Sequence, residues 1–152
     1  MDIEKAVLQA IHDNPTDETS WLVLADWLEE NDAPDRAEMV RLHQALRRLT
    51  ADADRLPLEQ RFQKMLRNGV KPCIPILTNS ISMQLALIPP GSFWLGSPES
   101  EPGRYADESP RRLIELTRPF YLGVYPVTQE EYRQVMGVNP SAFSATGRNT
   151  SV

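Results

Sequence analysis

The chain changes character at residue 70, and this change constrains its fold more than any other feature. Only three of the 13 prolines lie before residue 70, and the only glycine in that part is Gly69. Proline and glycine are the residues that interrupt helices most strongly. Residues 1–69 can therefore form helices of ordinary length, whereas residues 70–152 must contain many turns.

Residues 1–69 are predicted to form four short helices. Each helix has apolar residues at helical spacing next to a capping residue or a proline. Asn68-Gly69 is typical of a helix end and closes the last of them. The predicted starts are Asp2, then Thr16 or Asp17, then Asp35 in a capping box with Glu38, and finally Pro57 at the first helical position.

Residues 70–80 are predicted to be an extended linker, because Pro72 and Pro75 disfavour both a helix and a central strand. From residue 81 onward apolar and polar residues alternate, which indicates strands. The predicted strands are 81–87, 93–96, 113–116 and 120–124, and they precede a short helix with a Thr128–Glu131 capping box that Gly137 ends. The sequence thus predicts an α+β protein with domains at 1–69 and 81–152.

Charge and composition argue against several classes of partner. Residues 1–69 hold most of the acidic residues, and the net charge of the chain is −5, so it lacks the basic surface that nucleic acids and anionic membranes require. The chain has no apolar run of the length of a membrane span, and its opening does not resemble a signal peptide. A cytoplasmic protein is therefore expected. The sequence does not indicate an oligomeric state.

Acidic residues of the second helix are the most concentrated candidate for chemistry. Asp26, Glu29 and Glu30 could bind a cation or transfer protons if a cleft held them. A solvated helix face is the more frequent origin of such a pattern. A partly buried Asp26 that pairs with Arg36 or Arg41 is a further alternative.

The remaining candidates also favour structural interpretations. Trp21 and Trp27 are expected in the core, although one edge could anchor a partner. His43 is expected to be a core histidine with a backbone partner. Cys73, the only cysteine, would be a nucleophile only with a nearby base and a lowered pKa. The sequence therefore assigns no catalytic, cofactor-binding or metal-binding residue.

The first 48 residues resemble a short bacterial domain of unknown function. The resemblance rests on the segments LVLADWLEE at 22–30 and RAEMVRL at 36–42. That family occurs at the N-termini of otherwise unrelated proteins, which implies an appended interaction or targeting module with a protein partner. Trp21 and Leu24 depart from its usual arginine and tyrosine.

Five motifs in the second half are similar to the formylglycine-generating, sulfatase-modifying family. They are LIPPGSFWLGS at 87–97, DESP at 107–110, FYLG at 120–123, VTQEEY at 127–132 and NPSAF at 139–143. The resemblance implies a C-type-lectin-like α+β fold. Pro126 stands where relatives usually have glutamate.

The resemblance also implies a chemistry that this chain does not complete. Enzymes of the family bind copper through two cysteines and oxidise a cysteine of a sulfatase to formylglycine. Cys73 precedes the first motif and matches neither cysteine, and the family domain extends beyond the part present here. An N-terminal fragment that is not catalytic alone is therefore expected, within a parent that is a copper or iron oxidase or a redox relative. The alternative is a non-catalytic ligand- or protein-binding protein on the same scaffold.

Overall fold

The computed structural model describes residues 2–99, 101–141, 143–144 and 147–148, and it confirms a mixed α+β protein. A single 3-10 turn in the described chain covers Ala106–Glu108. The helices are α1 (Ile3–Asp13), α2 (Glu18–Glu30), α3 (Pro34–Arg48), α4 (Asp52–Arg67) and α5 (Gln129–Met136). The strands are β1 (Ile76–Thr78), β2 (Gln84–Ile88), β3 (Gly91–Leu95), β4 (Arg112–Leu116), β5 (Phe120–Gly123), β6 (Phe143–Ser144) and β7 (Gly147–Arg148).

The first two helices begin at the predicted capping residues. The Asp2 carboxylate accepts a hydrogen bond from the Lys5 amide at 3.3 Å. The Asp17 carboxylate accepts from the amides of Thr19 and Ser20, both at 3.1 Å. Each aspartate thus pairs amides that the first turn of a helix leaves without a partner.

Glycine ends two of the helices, also as predicted. Gly69 follows α4 with a φ of +83°, and the amides of Gly69 and Val70 bond the carbonyls of Leu66 and Met65 at 3.0 and 3.1 Å. This is the Schellman arrangement, which needs a left-handed residue at that position. Gly137 ends α5 in the same left-handed region, with a φ of +75°.

The starts predicted for the third and fourth helices are wrong. α3 begins at Pro34, one residue before Asp35. Proline lacks a backbone N–H group, but the first turn of a helix has no intrahelical acceptor for that group, so its absence there costs nothing. Glu38 does not cap the helix and instead accepts two hydrogen bonds from Arg61 at 2.8 Å. α4 begins at Asp52, so Pro57 lies inside it.

The helices enclose one apolar core. α2 packs against α1 and α3, and α3 packs against α4. The largest fully buried side chains are Trp21, Ile11, Leu24, Leu28 and Met39. Among the described residues, no helix is both long enough and apolar enough to cross a membrane.

Contacts divide the chain into two compact units, residues 1–75 with 87–120 and residues 76–86 with 121–152. In the first unit β3 and β4 pair antiparallel from Gly91 opposite Leu116 to Leu95 opposite Arg112, and α3 contacts β3. In the second unit β1 pairs with β2 through Thr78 opposite Gln84. The domain boundaries predicted from composition are not tested by this division and stay a prediction.

The first predicted strand, 81–87, starts later than expected, at Gln84. The side-chain oxygen of Asn79 accepts hydrogen bonds from the amides of Ile81 and Met83 at 3.0 and 2.9 Å. Ser82 has a φ of +65°. This turn around an asparagine side chain replaces the first part of the predicted strand 81–87.

Candidate functional site

Cys73 is buried beside two half-buried charged side chains, Glu4 and Arg36. One guanidinium nitrogen of Arg36, Nη2, contacts Cys73 Sγ at 3.2 Å and donates to Glu4 Oε1 at 2.7 Å. Sγ also lies 3.4 Å from Glu4 Oε1, and Cys73 is only 4% exposed. The cluster joins the first helix, the third helix and the segment that precedes β1.

The electrostatics of this cluster make Cys73 a structural thiol. Burial raises the pKa of the Cys73 thiol to about 11, although the positive charge of Arg36 opposes that rise. The hydrogen bond that Arg36 donates to Glu4 raises the pKa of Arg36. The thiol is therefore protonated at neutral pH and can donate to Glu4, whereas a nucleophilic cysteine needs a lowered pKa.

We expect Cys73 to react slowly with alkylating reagents. Only the thiolate form of cysteine attacks such reagents. With a thiol pKa of about 11, roughly one molecule in a thousand carries that thiolate at pH 8. Mass spectrometry after iodoacetamide treatment of the native chain should show little modification. The same chain in denaturant is the control and should be fully alkylated, and equal rates in both would contradict this assignment.

His43 is a core histidine, as predicted, although its neighbours differ from those expected. Its ring meets Trp21 edge to face, with ring centroids 5.7 Å apart. The described residues show no backbone hydrogen bond to His43. Burial, with a smaller contribution from Arg47, lowers the pKa of His43 to about 4, so the ring is neutral at physiological pH.

Acid should destabilise the protein through His43. Because its pKa falls from 6.5 in the unfolded chain to about 4 in the folded one, its stabilising contribution is present above pH 6.5 and is lost as the pH falls toward 4. Urea unfolding should show that the free energy of unfolding falls more steeply between pH 7 and pH 4 for the wild type than for His43→Leu. A His43→Leu profile parallel to that of the wild type would refute the prediction.

The acidic residues of α2 form a solvated surface. Asp26, Glu29 and Glu30 are exposed, and Arg41 Nη2 donates to Asp26 at 2.9 Å and to Glu29 at 2.5 Å. Asp26 therefore pairs with Arg41, and the expectation that it is partly buried is wrong. In the described part of the chain, no group of three histidine, cysteine or acidic residues is arranged to hold a metal ion.

The two tryptophans of α2 differ in environment. Trp21 is 1% exposed and belongs to the core, as predicted. Trp27 is half-buried, so part of its ring reaches the surface of the helical region.

The residues present do not fit the copper site that the family resemblance implies. Such a site needs two cysteines, and this chain has one. Arg36 lies 3.2 Å from its sulfur, and a guanidinium at that distance repels a metal cation. Cys73 and its neighbours therefore do not fit a two-cysteine copper site.

Sequence reasoning missed both partners of Cys73. Glu4 and Arg36 lie in different helices, far from Cys73 along the chain, and no local pattern marks either as its neighbour.

Comparison with known proteins gives one match. Residues 78–151 match the family of sulfatase-modifying factor enzyme 1-like domains. The match includes all five motifs, whereas the resemblance of residues 1–48 to a bacterial domain stays a prediction. Neither the curated proteins nor the solved structures include a match to this chain. Residues 78–151 are therefore similar to a sulfatase-modifying factor enzyme 1-like domain, and a helical region precedes them.

Proposed function

We propose that this chain is a binding protein without oxidase activity of its own, in which residues 1–69 act as an interaction module. The observation that carries the proposal is the environment of Cys73. Its thiol is buried, protonated and held against Arg36 and Glu4. It can neither bind copper nor attack a substrate in that state.

The exposed side of α2 supports an interaction role for the helical region. Leu22 and Val23 are 56% and 47% exposed. At 100° per residue they share one face of the helix with Asp26, Glu29 and Glu30. An apolar pair beside carboxylates suits a partner surface that combines basic and apolar groups.

The family match favours a second candidate. Residues 78–151 could belong to a longer oxidase in which other parts of the protein supply the cysteines. In that case copper or iron chemistry would belong to the longer protein, and residues 1–69 would serve as its targeting module.

An oxidation assay tests the proposal. The purified chain, incubated with oxygen, a reductant, copper and a sulfatase peptide that contains the target cysteine, should form no formylglycine by mass spectrometry. Copper(I) competition titration should likewise show no stoichiometric site, and Cys73→Ser should match the wild type. An authentic formylglycine-generating enzyme serves as the positive control. Peptide conversion by the wild type that Cys73→Ser abolishes would overturn the proposal.

A further inference from the structure

A cavity of about 310 Å³ lies in the first compact unit, beside α3, α4 and the start of β3. Its apolar wall includes Leu46, Phe62, Ile88, Phe93 and Leu116. A second cavity of about 160 Å³ shares His43, Phe62 and Ile88 with the first. The two cavities are therefore adjacent, and together they have a volume that is ordinary for a small-ligand site.

The larger cavity carries an excess of positive charge. Three charged residues line it: Arg47, Arg55 and Glu59. Arg55 is paired, since its Nε donates to Glu59 at 2.9 Å. Arg47 has no carboxylate within ion-pair distance among the described residues. The cavity lining thus has two guanidinium groups and one carboxylate. This net positive charge favours the binding of an anion.

Arg47 is held in place by uncharged groups. Its Nε donates to the Pro90 carbonyl at 2.6 Å, and its Nη1 donates to the side-chain oxygen of Gln44 at 2.5 Å. Its Nη2 has no hydrogen-bond partner among the described residues. Burial lowers the pKa of Arg47, and the charge of Arg48 lowers it further, whereas the Glu18 carboxylate opposes both effects.

The smaller cavity has a different character. Met39, Val40, Ile74 and Leu87 line it, and it includes no charged side chain. His43 lies at the boundary of the two cavities and is neutral at physiological pH. The larger cavity therefore suits an anionic group, and the smaller cavity suits a short hydrocarbon chain.

We infer that this pair of cavities binds a medium-chain aliphatic monocarboxylate, with its carboxylate at Arg47 and its chain in the smaller cavity. A neutral apolar ligand would leave the Arg47 charge without a partner. A purely polar anion would leave the hydrocarbon wall uncovered. This inference goes beyond the proposed function, because the absence of oxidase activity and a small-molecule site can each fail without the other.

Calorimetric titration of the full chain at pH 7.5 tests the head group and the chain separately. Decanoate should bind with one-to-one stoichiometry. Decanol, which has the same chain without the charge, should bind about tenfold more weakly, since a charge-assisted hydrogen bond contributes at least that factor. Butyrate should also bind more weakly than decanoate, because it has less apolar surface to bury.

Two matched variants locate the carboxylate. Arg47→Met should weaken decanoate binding about tenfold and leave decanol binding unchanged. Arg41→Met removes the same charge from the same helix at an exposed position, where Arg41 pairs with Asp26 and Glu29 at 2.9 and 2.5 Å, and should leave both ligands unaffected. Thermal melting of each variant checks that it is folded.

The wild-type titrations keep the inference falsifiable even if Arg47→Met does not fold. Decanoate binding no tighter than decanol binding would overturn the role of the charge. An absence of decanoate binding would overturn the site, and equal binding of butyrate and decanoate would overturn the role of the apolar cavity. In a folded Arg47→Met variant, unchanged decanoate binding would overturn the placement of the carboxylate.

Discussion

Replacing Arg55 by methionine is expected to lower the free energy of unfolding by about 3–5 kcal/mol, the loss typical of breaking a buried charge network. The Arg55 side chain is 5% exposed, and its Nε donates to Glu59 at 2.9 Å. Its Nη1 donates to the carbonyl oxygens of Leu46 and, at 2.7 and 3.1 Å, of Leu49 and Ser92. Methionine fills similar space but provides no donor.

The loss arises at the end of α3. Leu46 lies in the last turn of that helix and Leu49 is its C-cap, where carbonyl groups have no partner within the helix. Arg55 satisfies both of them and also bonds β3 through Ser92. Removing the guanidinium therefore takes this donor away from the part-buried carbonyls of Leu46 and Ser92. Leu49 keeps only a hydrogen bond of 3.3 Å from the Ser92 hydroxyl. A buried acceptor left without a donor costs about 1–3 kcal/mol.

Arg61→Met is the matched control. Arg61 makes two hydrogen bonds of 2.8 Å to Glu38, but the two side chains are 49% and 39% exposed. An exposed pair of this kind contributes about 0.2–1 kcal/mol. Urea unfolding of the two variants at pH 7 should therefore give clearly different midpoints. Equal losses would show that the Arg55 network does not stabilise the fold.

The same residue explains why one helix boundary could not be predicted from the sequence. Pro57 favours the first turn of a helix, and local chemistry placed the start of α4 there. The helix instead begins at Asp52, so Arg55 lies in its first turn. From there Arg55 donates hydrogen bonds to carbonyl oxygens at the end of α3. These tertiary bonds outweigh the one backbone hydrogen bond that a proline inside a helix removes.

Boundaries that depend on neighbouring residues were predicted correctly. Asp2 and Asp17 cap the first two helices, and Gly69 and Gly137 end α4 and α5. Each of these interactions lies within a few residues along the chain. Local sequence therefore contains the necessary information.

The surroundings of Cys73 required the structure. Its partners, Glu4 and Arg36, come from two different helices. The sequence predicted that a lone cysteine near prolines is a poor nucleophile. It could not show that burial, rather than the lack of a base alone, is the reason, because the helices that bury Cys73 are distant in sequence.

Replacing Trp21 by alanine is the second large effect we expect, at about 3–5 kcal/mol of unfolding free energy, as for other buried aromatic residues. Trp21 is the largest of the fully buried side chains and is 1% exposed. Its indole Nε1 donates to the Pro15 carbonyl at 3.1 Å, which fixes the connection between α1 and α2. Alanine would leave a large cavity and an unpaired carbonyl.

Two further contacts add to the effect of Trp21. His43 meets its ring edge to face, and the Arg47 guanidinium lies 5.9 Å from the ring centroid. Such contacts contribute about 0.5–1.5 kcal/mol each beyond the buried area. The ring thus supports two residues of the proposed carboxylate site as well as the core.

Trp27→Ala is the matched control for Trp21→Ala, because it removes the same side chain from the same helix at a half-buried position. We expect it to cost clearly less than Trp21→Ala, since less apolar surface is lost from the interior. Urea unfolding followed by far-ultraviolet circular dichroism measures both without relying on tryptophan fluorescence. Equal urea midpoints for Trp21→Ala and Trp27→Ala would show that the stability of the helical region does not depend on Trp21. In that case the packing that positions His43 and Arg47 must come from other residues of α3 and α4.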